Sequence, residues 1–509
     1  METLELTGDN LTLENIEQVA RSFRPVALGE KAIHNVNRAR EIVEKKTESS
    51  AIYYGINTGF GDLCNVHISD DDLKKLQTNL IRSHAVGVGD ILPETVVRAL
   101  MVIRINTLIQ GNSGIRLKVV ELLLEFLNRG IVPVIPSQGS VGASGDLAPL
   151  AHMASPLIGE GEVFLKGERM EAEMALEKVG LEAIQLASKE GLALINGTAM
   201  MCAIGTLALL DAERLVKMAD ISGSMSLEAL KGTDAFLREE IHKMRPHQGQ
   251  MDSAANMRKL IYCSGILEEY RDSGKVQDAY SMRCIPQVHG ASRDTFAHVR
   301  KVLEIEVNSV TDNPLIIVET EEIISGGNFH GQPIAFAMDF LAIAAAEVAN
   351  IAESRVSRLI NSRYSDLPPF LVKESGLNSG FMVAQYTMAA LVSENKVLCH
   401  PASVDSIPTC AGQEDHVSMG SISARKAREV LKNVYNVIAI EFFAATQGLD
   451  FLDPLRSSAA LEAVRSLIRK DVKNLKEDRR MDKDVAKIVE LMRSSSIIET
   501  AEAVVGELK

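Results

Sequence analysis

Between Gln332 and Arg363 the chain reads QPIAFAMDFLAIAAAEVANIAESRVSRLINSR, with a single proline, in the first turn. Apolar residues at Phe336, Phe340, Ile343, Val348, Ile351, Val356 and Leu359 recur at threes, fours and fives. That spacing predicts one long helix, buried along most of its length. The alanines at 344–346 let neighbouring helices approach closely. Similar patterns run over Thr198–Met218, Phe381–Leu398, Ser421–Gln447 and Ser458–Leu475, whereas strand-like runs are confined to Ile131–Ile135, Leu315–Val318 and Ile323–Ile324. The expected fold is mainly α, a bundle of long helices with a smaller N-terminal domain. A boundary at residue 197, where short Gly/Pro-punctuated segments give way to long helices, divides it into 1–197 and 198–509.

Charge narrows the partners. With 54 basic against 68 acidic residues the net charge is -14, which repels nucleic acid and anionic membranes alike. The opening METLELTGDNLTLENIEQVARS lacks the apolar core of a secretory signal. Six cysteines, including Cys64, form no CxxC pair and are too sparse for a disulfide framework, so reduced thiols in a cytoplasm are expected. Gly191–Leu210 carries no charge and has the length of a membrane span, but Asn196, Gly197, Thr198, Gly205 and Thr206 dilute it. A buried helix of a large core is the expectation there. The 11 histidines are scattered without H-E-x-x-H or a Cys/His cluster, which predicts no required metal.

SVGASGDLAPL, residues 140–150, is the chain's most unusual stretch. It lacks the second glycine of a nucleophile elbow and the lysine of a phosphate-binding loop. One reading is a glycine-rich turn with Asp146 or Ser144 capping the helix that contains Pro149. A second comes from backbone chemistry. In a tight enough bend the amide nitrogen of Gly145 attacks the carbonyl carbon of Ala143, an approach that only small residues leave open. Loss of water from that ring, and of the Ser144 hydroxyl as a second water, leaves a conjugated methylene, a strong electrophile.

GSVGASGDLAPLAH resembles the signature of the aromatic amino-acid ammonia-lyase family, whose Ala-Ser-Gly forms a methylidene-imidazolone (MIO) autocatalytically. The resemblance spans essentially the whole chain. It includes YGINTGFG at 54–61, SHAVG at 83–87, EGLALINGT at 190–198, VQDAYSMRCIPQVHG at 276–290 and VTDNP at 310–314. SGGNFHG at 325–331, LPPFL at 367–371, NSGFM at 378–382, SENK at 393–396 and QEDHVSM at 413–419 continue it. It implies a fumarase/aspartase-like helical fold, MIO built from Ala143, Ser144 and Gly145 with no external cofactor, and a homotetramer whose active sites are shared between subunits.

Within the family the histidine-specific branch is the nearer resemblance, which implies elimination of ammonia from L-histidine to give trans-urocanate. His84 and Glu414 carry that choice, because a histidine and a carboxylate in one pocket suit the two ring nitrogens of an imidazole. By the same resemblance Arg283 clamps the substrate carboxylate, a task for its planar fork. Tyr54 and Tyr280 act at the reacting carbon and the prosthetic group, Asn196 hydrogen-bonds the group's oxygen, and Gln277 and Phe329 complete the pocket. Either Tyr54 or Glu414 is the base for the β-proton. Two departures stand out: Ala279 where relatives have proline, and Gly412 where asparagine is usual. The alternatives are a tyrosine or phenylalanine ammonia-lyase or aminomutase and, in another class, a helical scaffold without chemistry.

Overall fold

The long apolar runs form helices close to the expected bounds: Ala199–Ala229, Gln332–Leu359, Met382–Leu398, Gly420–Asp450 and Ala459–Asp471, with Ile285–Glu306 in addition. The structure, a computed structural model, describes residues 1–47, 53–63, 68–69, 72–274 and 276–509; Cys64 lies outside them. Strands are short. Ile131–Pro133 pairs antiparallel with Glu162–Leu165, which pairs with Glu168–Glu171, and Leu315–Ile317 forms a hairpin with Glu322–Ile324. Leu4–Leu6 runs parallel to Val26–Leu28, three residues against three, too short for an alternating pattern to reveal.

Two expectations change. Gly191–Leu210 is buried throughout but is not one helix: Glu190–Ile195 ends at Asn196, and Ala199–Ala229 starts after Gly197 at φ +134°. In Gln332–Leu359, the alanine-bearing face turns inward, with Ala335, Met338, Leu341, Ala342 and Ala345 fully or almost fully buried. Phe336, Phe340 and Ile343, read from spacing as part of the buried face, are 44–45% exposed. A helix apolar on two sides can bury either, and alanine permits the closer packing. By length and apolarity this helix is also able to cross a membrane, and 72% of its most apolar window is buried.

The chain divides into two compact units, both discontinuous. One comprises Met1–Ala208, Arg300–Asp339 and Pro401–Arg425; the other comprises Leu209–Val299, Phe340–His400 and Lys426–Lys509. The single boundary at 197 differs from this division, because Ala199–Ala229, Ile285–Glu306, Gln332–Leu359 and Gly420–Asp450 each contribute residues to both units.

In the first unit, Glu94–Leu108 is buried from Val96 to its end, polar Arg98, Arg104 and Asn106 included. Leu73–His84, Leu147–Ala154 and Glu190–Ile195 pack on one another and carry Leu76, Asn79, His84 and Ile195 of the site described below.

In the second unit, buried polar knots join the long helices. Glu441 accepts from Arg355 Nε and Nη2 at 2.5 and 2.9 Å and from Ser222 and Ser226 hydroxyls at 2.8 Å. Asp220 meets Ser253 Oγ (2.7 Å), Asn256 Nδ2 (3.0 Å), His289 Nδ1 (2.8 Å) and Arg293 Nη2 (2.7 Å). Burial opposes ionisation of Asp220, but Arg293 and His289 outweigh it and hold the carboxyl at about 2.

Asp220→Asn leaves Arg293 and His289 facing a neutral amide, and is expected to cost about 3–5 kcal/mol in urea unfolding at pH 7. A depressed folded pKa stabilises above the unfolded value of 3.8 and that contribution fades as pH falls through about 2. The gap between wild type and variant therefore narrows from pH 4 downwards; a gap independent of pH would contradict the ionised knot.

Candidate active site

The turn from Ser140 to Asp146 is shaped by residues far along the chain. Gly142 and Gly145 take φ +71° and +76°. A Cβ on Gly145 would overlap the backbone of Gly197, and one on Gly142 the hydroxyl of Ser418. Asp146 N–H donates to Gly197 O at 2.7 Å, and Gly197 N–H to Ser144 O at 3.0 Å. Ser140 Oγ donates to Gly145 O at 3.0 Å. Ala143 is buried, so the turn is packed from behind while Ser144 borders open space.

Asp146 is not a local cap. Its Oδ2 accepts from the N–H groups of Met200 and Met201 at 2.9 and 3.0 Å, capping the helix Ala199–Ala229, and its Oδ1 lies 2.9 Å from Ser421 Oγ. Full burial pushes its carboxyl up to about 6, although these donors pull the other way.

Two cavities of about 490 Å³ each share Tyr54, Gly61, Ser144 and Glu414. Phe329, Asn313 and Gln413 line the first; His84, Asn79, Leu76 and Ile195 line the second. Tyr54 Oη accepts from Gly61 N–H at 3.2 Å. Glu414 reaches towards the turn, its Oε1 3.4 Å from Ser144 Oγ, while Oε2 accepts from Thr409 Oγ1 at 2.7 Å. His84, at the end of Leu73–His84, has Nδ1 2.8 Å from Leu80 O. A carbonyl can only accept, so Nδ1 carries the proton and Nε2 is left as an acceptor. Burial lowers the His84 pKa, against Leu80 O and Glu414, and so disfavours the charged ring.

Behind the turn lies a buried charge cluster absent from the sequence expectations. Lys189 Nζ and Asp312 Oδ2 pair at 2.9 Å, both side chains fully buried. Asp312 Oδ1 and Asn313 O each accept from Asn196 Nδ2 at 3.1 Å. The amide hydrogens of Asn196 are thus engaged, and its buried Oδ1 has no partner, whereas the resemblance implies a free donor there. Arg104 is fully buried beside Gly197, and burial lowers its pKa to about 10 despite Asp312 and Asp146.

Tyr280, Arg283 and Gln277 belong to the second unit and line neither cavity. Tyr280–Arg283 is a single helical turn with the guanidinium 4.4 Å over the Tyr280 ring and Nε donating to Asp278 O at 3.0 Å. Tyr280 is 71% exposed. Ala279 holds φ -63°, which proline would also take, and Gly412 holds φ +91° with nothing near its absent side chain. Neither departure distorts its loop.

Among the described residues no group of three or more His, Cys, Asp or Glu side chains is arranged to hold a metal. Sequence reasoning missed Thr409, Asp312, Lys189 and Ser421. Asp312 stands inside the VTDNP motif and Thr409 four residues before QEDHVSM, but neither position is distinguished by its local sequence, and Lys189 stands with Glu190 just before an uncharged run.

The profile of the family described as aromatic amino acid lyase matches residues 11–470. A protein named histidine ammonia-lyase from Caldanaerobacter subterraneus subsp. tengcongensis is 52% identical over 499 residues, covering 98% of each chain. The crystal structure of histidine ammonia-lyase from Trypanosoma cruzi superposes with a TM-score of 0.93 at 43% identity, covering 99% of this chain and 96% of that one. The tyrosine aminomutase of Streptomyces globisporus gives 0.95 at 40% identity over the whole of both chains. The glycine-built turn, the convergence of Tyr54, Glu414 and Ser144 and these full-length similarities have one reading: the chain belongs to the aromatic amino acid lyase family, a carbon–nitrogen lyase of the fumarase/aspartase-like helical fold.

Proposed function

We propose that this lyase eliminates ammonia from L-histidine to give trans-urocanate, with MIO formed from Ala143, Ser144 and Gly145 and no external cofactor. The observation that carries the substrate is the placement of His84 and Glu414 around the same space as Tyr54 and Ser144. The turn fits the prosthetic group: positions 142 and 145 exclude any side chain, and Gly197 bridges Gly145 from behind. Held in the Ala143–Gly145 turn, the group would supply an electrophile on the substrate side of the cavity. Asn196 would hold its oxygen side, giving up one of the two N–H contacts it now makes.

His84 accepts a ring N–H through Nε2, which selects the substrate tautomer. Phe329 forms an apolar wall. Tyr54 is the base for the β-proton, its oxygen already held by Gly61 N–H; a lowered phenol pKa needs such donors and nearby positive charge. Glu414 is the alternative base, or it handles protons on the departing amine. Arg283, Tyr280 and Gln277 complete the site from a neighbouring subunit of a homotetramer, Arg283 clamping the substrate carboxylate. The chain works in the cytoplasm, with neither nucleic acid nor membrane as partner. The aminomutase likeness supports a second reading, the same chemistry on tyrosine, which a substrate panel separates.

Three results are expected. The purified protein weighs two water molecules less than its sequence, with the loss confined to a peptide spanning Ala143–Gly145, and Ser144→Ala abolishes both that loss and nearly all activity. An active Ser144→Ala enzyme at its sequence mass would end the prosthetic-group reading.

L-histidine is deaminated faster than L-phenylalanine by roughly two to four orders of magnitude. Two polar groups left unpaired against a phenyl ring cost about 1–3 kcal/mol each, at about 1.4 kcal/mol per decade. Glu414→Gln loses turnover, whereas His84→Leu weakens histidine binding and relaxes specificity. Ultraviolet absorbance of the conjugated product follows all three; a wild type that prefers tyrosine overturns the histidine assignment.

Co-expression of an inactive Tyr54 variant with an inactive Arg283 variant restores part of the activity, because mixed oligomers contain some sites with both native residues. A fully active monomer in sedimentation would contradict the shared site.

A further inference from the structure

Between Thr409 and Glu414 the chain folds back on itself. Thr409 N–H donates to Glu414 O at 2.9 Å and Glu414 N–H to Thr409 O at 3.3 Å, an isolated antiparallel bridge. Inside it, Gly412 N–H donates to Thr409 O and Gln413 N–H to Cys410 O, both at 3.0 Å. Cys410 and Ala411 sit at φ +50° and +54°, a region that side-chain-bearing residues occupy only when their surroundings enforce it. One external tie is Asp62 N–H, which donates to Cys410 Sγ at 3.3 Å, next to the Gly61 N–H that Tyr54 Oη receives. The loop is a built frame, anchored to the segment that also holds Tyr54.

Within the frame, the two Glu414 oxygens have different partners. Oε2 receives the Thr409 hydroxyl at 2.7 Å, and Oε1 faces Ser144 Oγ at 3.4 Å. A glutamate side chain chooses among staggered wells at successive bonds, and a half-buried one in a loop has little packing to choose for it. The β-branched Thr409 is restricted at its only χ angle, so its hydroxyl is a fixed point to which the carboxylate is tied.

We propose that Thr409 is a positioning residue for Glu414: its hydroxyl holds one carboxylate oxygen so that the other is presented to the Ser144 side of the cavity. The proposal rests on the reading above that Glu414 faces the substrate. Its test uses whichever aromatic amino acid the wild type deaminates, L-histidine first, so that a wrong substrate assignment leaves it intact.

Thr409→Val keeps the shape and deletes the donor; Thr409→Ser keeps the donor. A misplaced reacting group costs about 10- to 100-fold, and that loss is expected in kcat for Thr409→Val, with KM moved far less. Thr409→Ser retains most of the wild-type kcat. In a Glu414→Gln background Thr409→Val adds little, since the two act as a unit. If the valine protein does not fold, Thr409→Ala is read the same way. An unimpaired valine (or alanine) variant, a serine variant as impaired as that variant, or losses that multiply with Glu414→Gln would overturn the proposal. So would a valine (or alanine) variant whose mass no longer differs from its sequence as the wild type's does, because Thr409 would then act on the turn rather than on Glu414.

Discussion

The site hangs on one buried carboxylate. Asp146 directly follows the Ala143–Ser144–Gly145 turn, yet it spends its oxygens on the N-terminus of Ala199–Ala229 and on Ser421, at the start of Gly420–Asp450. Three chain segments, remote in sequence, thereby take their positions from one side chain. Burying that charge is costly, as its raised pKa records, and the helix N-terminus offsets the cost with two aligned N–H donors. Gly145 rests against Gly197 because it has no side chain, and the main-chain bonds from Asp146 N–H to Gly197 O and from Gly197 N–H to Ser144 O hold the two backbone segments together.

How far the sequence reveals this depends on the range of each interaction. Helices 17 to 31 residues long announce themselves because every turn repeats the same choice, and the apolar runs at 332–363 and 421–447 match helices of 28 and 31 residues closely. Orientation is harder. Phe336, Phe340 and Ile343 have the right spacing for a core and face outward, because an alanine face of the same helix packs closer. Capping was read locally at Asp146, where the actual partners are more than fifty positions away, a distance at which periodicity carries no signal.

For the site itself, Tyr54, His84, Glu414, Phe329 and Ser144 were identifiable from motifs, and they border the same pair of cavities. What the motifs conceal is the support. Lys189 reads as a flanking charge and is fully buried against Asp312, which in turn orients the amide of Asn196. Thr409 reads as an ordinary loop residue. Such contacts join residues with unremarkable local sequence, and only the folded chain places the polar atoms within bonding distance.

The shape of the Ala143–Ser144–Gly145 turn has a temporal consequence. Its bend is imposed by Gly197, Ser418 and Ser421, which approach only when the surrounding helices have docked. A nascent chain released as far as residue 150 has the three amino acids without their geometry. The backbone chemistry proposed for that turn would therefore be a late event that waits for Gly420 and its neighbours to be made and packed. On the function proposed above, the fold acts as a safety catch, withholding the prosthetic group from chains that are still incomplete.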